Sequence, residues 1–301
     1  MKKKQAAYNA KTIANVGDVT KANLKGLGCD ILLFTSPCTS LSPLGKRLGF
    51  EEGSNTASSI IWSLKNVLND LSHQPEIIFF ENVKQLVTTY ELTFRQLKKY
   101  LESEGYFVYS KILDAAKYGI PQHRERVYVI ACKRPLDINW PEPTELKFKL
   151  KDVLEEKVSE KCYNTGLIEY FKKHSLETNY TFRVFNPSKA EIAHTITCKA
   201  GSRISDNFVF DEDVSDDIEV RFKKKNLNML DEGKLMNTRI RKLSPNETMV
   251  LTGLNVDEIE RINRVGLSDA QVYKLMGNAV VVDVVEKVFE SVLYAYFKQV
   301  A

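Results

Sequence analysis

The chain has 301 residues, 43% hydrophobic and 27% charged, with a formal net charge of +4, a balance that tolerates a polyanionic partner without demanding one. No apolar stretch nears the roughly 20 residues that a membrane-spanning helix needs, and no apolar run follows Met1-Lys-Lys-Lys-Gln, which argues against secretion. Five cysteines are scattered without a CxxC pair or a Cys/His cluster, so neither a disulfide framework nor a metal site is expected, and a cytoplasmic location is.

Apolar runs alternate with helical patterns through the first half of the chain. Ile31–Phe34 reads as a strand, ending in Thr35-Ser-Pro-Cys38. Ser58–Leu71 reads as a helix through Ile60, Ile61, Leu64, Val67, Leu68 and Leu71. Ile77–Phe80 is the next strand, closing on Glu81-Asn82-Val83. Leu92–Leu101 follows as a helix, then Tyr106–Leu113 as a strand. Arg126–Cys132 is a strand entered through Tyr118-Gly-Ile-Pro121 and Gln122-His-Arg124-Glu-Arg126. This alternation predicts an α/β domain with a mostly parallel sheet. The near-continuous apolar runs at Ile31 and Ile77 suit strands covered on both faces.

After Trp140-Pro-Glu-Pro143 the chain turns polar and aperiodic, with a charge block across Asp211–Asp217 and Arg221–Lys225. Regular structure returns at Ser244-Pro-Asn-Glu247, a capping box with Pro at the first helical position. That helix runs to Leu251, with Gly253 at its exit, and a last helix spans about Val281–Phe297. The organisation expected is an α/β domain over 1–135, a second, smaller domain or large insertion over 136–237, and C-terminal helices over 238–301 that return to the first domain.

A thiol, a carboxylate and a guanidinium stand at strand ends in chain order. Cytosine C5 is a poor nucleophile until a thiolate adds to C6, and Cys38 after the rigid Pro37 is placed for that role. Glu81 could protonate N3, and Arg124 or Arg126 could hold the carbonyl O2, the other taking a phosphate or carboxylate. Each residue also has a bland reading. Cys38 could be a small buried hydrophobe, as Cys29, Cys132, Cys162 and Cys198 are read to be. Glu81 could cap the following helix, and the arginines could belong to a surface salt-bridge strand.

Taken in register, the motifs resemble those of the cytosine-C5 DNA methyltransferase family. Pro37-Cys38, Glu81-Asn82-Val83, Gln122-His-Arg124-Glu-Arg126, Arg241-Lys-Leu-Ser-Pro-Asn-Glu247 and Gly277-Asn-Ala-Val280 appear in the family's order. Gly17-Asp18-Val19 is similar to the segment whose Asp meets the cofactor adenine, and Gly45–Phe50 to the mobile catalytic loop. Ala193-His-Thr195-Ile-Thr197 resembles the signature of the target-recognition domain.

The resemblance implies a Rossmann-like methyltransferase sheet that uses S-adenosylmethionine, a smaller target-recognition domain, and double-stranded DNA as the partner. It assigns catalysis to Cys38, Glu81, Arg124 and Arg126, and the cofactor to Asp18, Val19, Pro37, Asn278, Ala279 and Val280. It assigns DNA contacts to Lys46, Arg47, Thr195, Lys199 and Arg203. Restriction-modification or genome protection is the expected setting.

Three departures stand out. Thr39 replaces the usual Gln after the cysteine, and Gly53-Ser-Asn-Thr56 lacks the Arg often present there. The family's opening Phe-x-Gly-x-Gly turn, and the strand ending in a ribose-binding acid, have no counterpart. The sheet is therefore expected to be N-terminally incomplete, with Gln5–Ala10 as the helix after the missing acid and an unpaired apolar edge on the Ile31–Phe34 strand. The rival expectations are a non-catalytic DNA-binding fragment, one chain of a split enzyme completed by a complementary chain, and an RNA-cytosine enzyme of the same family.

Overall fold

The computed structural model describes residues 17–42, 47–163, 166, 184–203, 206–213 and 239–298. The helix expected over Gln5–Ala10, Lys46, and the charge block from Val214 to Lys225 lie outside them. Two compact units are present. One comprises the described residues of Met1–Ile112 and Arg126–Asp137, the other those of Leu113–Glu125 and Ile138–Ala301.

The first unit is built on a four-stranded sheet, β1 (Ile31–Thr35), β2 (Ile77–Val83), β3 (Phe107–Asp114) and β4 (Glu125–Cys132), in the order β1-β2-β4-β3. β2 is buried along its whole length, as its unbroken apolar run requires. A 3-10 turn (Ala57–Ser63) leads into α1 (Leu64–Asp70), where one continuous helix was predicted. Thr56 caps that turn by accepting from the Ser59 N–H. α2 (Glu91–Ser103) buries Phe94, Leu97 and Leu101 at helical spacing. The core between sheet and helices joins Phe50, Leu68, Phe80, Leu97 and Val129, and the Trp62 indole donates to the Phe50 carbonyl at 2.7 Å.

Two features differ from the sequence expectation. β1 and β2 are parallel, but β4 runs antiparallel to β2. The β3–β4 connection holds only the short turn Ala115–Lys117, whereas parallel neighbours need a crossover of about a dozen residues or more. β1 is also not covered on both faces. Among the described residues β2 is its one strand neighbour, and Ile31 and Leu33 are 38% and 59% exposed.

The second unit holds a small sheet of β5 (Val184–Phe185), β6 (Phe208–Phe210) and β7 (Ile240–Lys242). Four α-helices follow among the described residues: α3 (Pro245–Val250), α4 (Val256–Val265), α5 (Asp269–Asn278) and α6 (Val282–Lys298). Their side chains share a core with the preceding polar stretch, joining Leu150, Ile196, Val209, Met249 and Met276. By packing, the C-terminal helices therefore group with residues 138–213; by chain order and motif they were assigned to the catalytic domain. No helix of the described residues is long and apolar enough to cross a membrane.

The capping box forms as the sequence predicts. Ser244 Oγ accepts from Glu247 N–H, and Glu247 accepts from Ser244 N–H at 2.7 Å. Gly253 leaves the helix at φ +90°. Glu247 also takes a two-pronged ion pair from Arg241, at 2.8 and 2.9 Å, and both side chains are almost wholly buried. Burial pushes the Arg241 guanidinium down, but the hydrogen bonds and charge of Glu247 outweigh it and hold it above its ordinary value. Removing one member of such a pair strands the other charge. Glu247→Ala should therefore lower unfolding free energy by about 3–5 kcal/mol, while the apolar double replacement Arg241→Met/Glu247→Leu should cost much less. Urea unfolding of the two variants checks this.

Candidate active site

β1 delivers the cysteine. After Thr35, which pairs across from Glu81, the chain leaves the sheet through Ser36 and Pro37. Asn82 ties that exit to β2, its amide donating to the Ser36 carbonyl at 3.2 Å and to Ser36 Oγ at 3.0 Å. Ser58 Oγ donates to the Pro37 carbonyl at 2.7 Å and accepts from Ser40 N–H at 3.1 Å. The Cys38 carbonyl then receives the N–H groups of Leu41 and Ser42 at 3.0 and 2.8 Å, which closes a tight turn. Cys38 is half-buried and packs against the core. The sequence reading gave Asn82 and Ser58 no part. Asn82 lay within a motif, whereas nothing in the sequence around Ser58 marked it.

Glu81 does not end its strand or cap a helix. It lies inside β2, and β2–β4 pairing sets Val83 opposite Arg126. Residues 81, 83 and 126 therefore share one face, and Arg126 Nε meets Glu81 Oε1 at 3.0 Å with both side chains largely buried. A carboxylate on β2 and a guanidinium on β4 thus sit side by side, and β2 adjoins β1, whose end leads through Ser36 and Pro37 to Cys38. The arrangement can supply a proton and a fork of N–H donors to one planar heterocycle.

Arg124 is placed differently. It belongs to the second unit and is 3% exposed. Its guanidinium donates to the carbonyls of Ile196, Gly277 and Ala279, at 3.1, 2.9 and 2.6 Å. Gln122, also buried, donates to the Leu251 carbonyl at 2.7 Å and accepts from Ile196 N–H at 3.0 Å. Thr195 Oγ1 donates to the His123 carbonyl at 2.6 Å. The Gln122–Arg124 segment is therefore a scaffold for the Ala193–Thr197 signature and the Gly277–Val280 motif. Asp114, another residue that sequence alone did not single out, accepts from Arg124 N–H at 2.8 Å and pairs with His123 Nδ1 at 2.9 Å.

Of the other expected residues, Asp18 is exposed, and its hydrogen bonds from the N–H and hydroxyl of Thr20 hold its carboxyl below the ordinary range. Val19 and Pro37 line a groove of about 690 Å³ along β1, together with Leu27, Leu33, Phe34 and Ile60. Asn278 and Ala279 end α5 in the second unit, and Val280 follows them. Arg47 is exposed with φ +53°. Lys199 is exposed, and Arg203 is half-buried. Cys132 and Cys162 are buried as read, and burial pushes both thiols up. Cys198 is exposed instead.

The sequence matches the family model described as C-5 cytosine-specific DNA methylase over residues 1–293. It is 29% identical to the type II methyltransferase M2.ScrFI of Lactococcus lactis subsp. cremoris, over 92% of this chain and 70% of that protein. It is 30% identical to the type II methyltransferase M.HpaII of Haemophilus parainfluenzae, over 92% and 76%. Among solved structures, the fold is shared with the Entamoeba histolytica methyltransferase EhMeth, at a TM-score of 0.72 and 19% identity, over 97% of this chain and 86% of that one. It is also shared with the S. pombe Dnmt2 methyltransferase, at a TM-score of 0.68 and 18% identity, over 96% and 86%.

The three carbonyls on Arg124 give a direct test of its scaffold role. Arg124→Met should leave them without that donor and lower unfolding free energy by at least about 2 kcal/mol, measured by urea titration.

Proposed function

Because the chain belongs to the C-5 cytosine-specific DNA methylase family, we propose that it methylates C5 of a cytosine flipped from a specific duplex sequence, with Cys38, Glu81 and Arg126 acting on the base. The observation that carries this reading is the Glu81–Arg126 pair across β2 and β4, with β2 adjoining the strand that leads to the Cys38 turn. The target must leave the stack, because C6 is inaccessible inside the duplex.

The thiolate of Cys38 adds to C6, forming the Sγ–C6 bond. The C5–C6 π electrons move to C4–C5, and those of the C4–N3 bond move to N3, which takes its proton from Glu81. Arg126 holds O2 and balances the charge on Glu81 through the same shift. C5 is then an enamine carbon. After methylation, a water-derived base takes the C5 proton, the C5–C6 double bond re-forms as the Cys38 thiolate leaves, and N3 returns its proton to Glu81, which restores the neutral ring. Arg124 enters this scheme as a positioning residue, since its donors are committed to three carbonyls.

Family membership and fold imply S-adenosylmethionine, which supplies the methyl sulfonium when bound. The groove along β1 suits the nucleoside part in volume and apolar lining. Val19 and Pro37 would flank the adenine there, with Asp18 adjacent in sequence. Asn278, Ala279 and Val280 are assigned on the Gly-Asn-Ala-Val motif alone. The other end of the cofactor is less well served, because the described lining of the groove contains no carboxylate for a ribose diol.

The exposed edge of β1 supports a second element of the reading. A strand apolar on both faces needs a neighbour, so this edge is assigned to a further parallel strand that carries the acid, supplied from outside the described residues. The same strand could come from a complementary chain. By likeness to the type II methyltransferases, the proposed setting is restriction-modification, with Thr195, Lys199, Arg203 and Arg47 toward DNA.

Two experiments test these points. A duplex carrying 5-fluorocytosine should trap the enzyme covalently, and Cys38→Ser should abolish the adduct while duplex binding survives; a trapped Cys38→Ser protein would refute the assignment. In calorimetry, the 301-residue chain should bind S-adenosylmethionine with a Kd weaker than about 100 μM. Low-micromolar binding would mean that the cofactor site is complete without an added strand.

A further inference from the structure

Asp206 is a buried carboxylate outside the catalytic scheme. It is 3% exposed. One oxygen accepts from Thr197 Oγ1 at 3.1 Å, and the other from the N–H groups of Ser202 and Arg203 at 3.1 and 3.0 Å. Its own N–H donates to the Arg203 carbonyl at 3.0 Å. Burying an anion is costly unless it is fully hydrogen-bonded. Here desolvation outweighs the pull of these bonds and of the Arg203 charge, and holds the carboxyl above its ordinary range.

Those bonds clamp both ends of one turn. Within it, Ala200 N–H meets the Thr197 carbonyl at 3.2 Å and Ser202 N–H meets the Lys199 carbonyl at 2.9 Å. The tip points outward, with Lys199 and Ser202 exposed. The base is pressed against α5, where a Cβ on Gly277 would fall 2.1 Å from Cys198 N. A turn of this length can close on its backbone bonds alone. The added buried acid fixes the spacing and direction of two basic residues, Lys199 and Arg203. A surface ordered before binding loses less entropy on association.

We propose that Asp206 is a positioning residue for DNA recognition, holding the Thr197–Arg203 turn so that Lys199 and Arg203 meet the phosphates of the duplex. This rests on the reading of that turn as a DNA contact. Lys199 and Arg203 bind; Asp206 acts through them.

The test uses the full chain, a labelled mixed-sequence duplex, and fluorescence anisotropy over a salt series. Lys199→Ala and Arg203→Ala should each weaken binding and lower the slope of log K against log salt by about 1. Asp206→Asn should weaken binding about tenfold, lower the slope similarly, and combine with Lys199→Ala or Arg203→Ala less than additively. Thr197→Val, which removes one of the bonds, should fall between Asp206→Asn and the parent. A purely structural Asp206 would change the melting temperature without changing the salt slope. Parent-like affinity and slope in Asp206→Asn and Thr197→Val, with Lys199→Ala and Arg203→Ala weakened, would overturn the inference and leave the recognition reading standing. Parent-like binding in both Lys199→Ala and Arg203→Ala would overturn the recognition reading and the inference together. If Asp206→Asn does not fold, Thr197→Val decides by the same readouts.

Discussion

The Glu81–Arg126 pair sets the terms for the first unit. Two opposite charges lie at 3.0 Å on adjacent strands, largely out of water. Neither could be buried alone without a penalty of several kcal/mol. The pair therefore requires β4 beside β2, and requires the register that sets Val83 against Arg126. A slip of one residue would turn Arg126 to the opposite face, among Phe80 and Val129 in the core. Strand order, register and the placement of these two charged groups are in this sense one constraint.

Arg124, just before β4, and Arg126, within it, divide labour by the partners that each meets. They are separated by one residue and have the same chemistry, yet Arg126 faces a carboxylate while Arg124 faces three carbonyls. A guanidinium presents five donors in a rigid fork, so Arg124 can hold three chain segments where lysine would present a single point charge. Gln122 adds an acceptor and a donor to the same junction. The two family motifs at Ala193–Thr197 and Gly277–Val280 thus have a common anchor in the second unit.

What could be read from the residues depended on how local the cause was. The Ser244 capping box and the Gly253 exit are set by neighbours in sequence, and both appear as expected. The helix expected over Ser58–Leu71 divides into a 3-10 turn and α1, because Ile60, Ile61, Leu64 and Val67 satisfy either spacing over so short a run. Glu81 and Asn82 read as a strand end because they are polar. They remain within β2 because Arg126 and Ser36, distant in sequence, satisfy them. The direction of β4 was equally hidden, since hydrophobic patterning is the same for parallel and antiparallel strands. Arg124 and Arg126 could not be separated by motif, and only their partners distinguish them. Nothing local marked Asp206, whose partners lie in a turn without periodicity.

The contact between Gly277 and the backbone at Cys198 has a consequence for how such a surface can diversify. With 2.1 Å between a would-be Cβ and a main-chain nitrogen, this junction admits no side chain. Neither partner in the clash is a flexible group that could swing aside. Sequence drift is therefore channelled outward, to the solvent-facing tip at Lys199 and Ser202, where a new side chain meets no neighbour's backbone. The same steric veto that fixes the seat of the turn leaves its rim open to change.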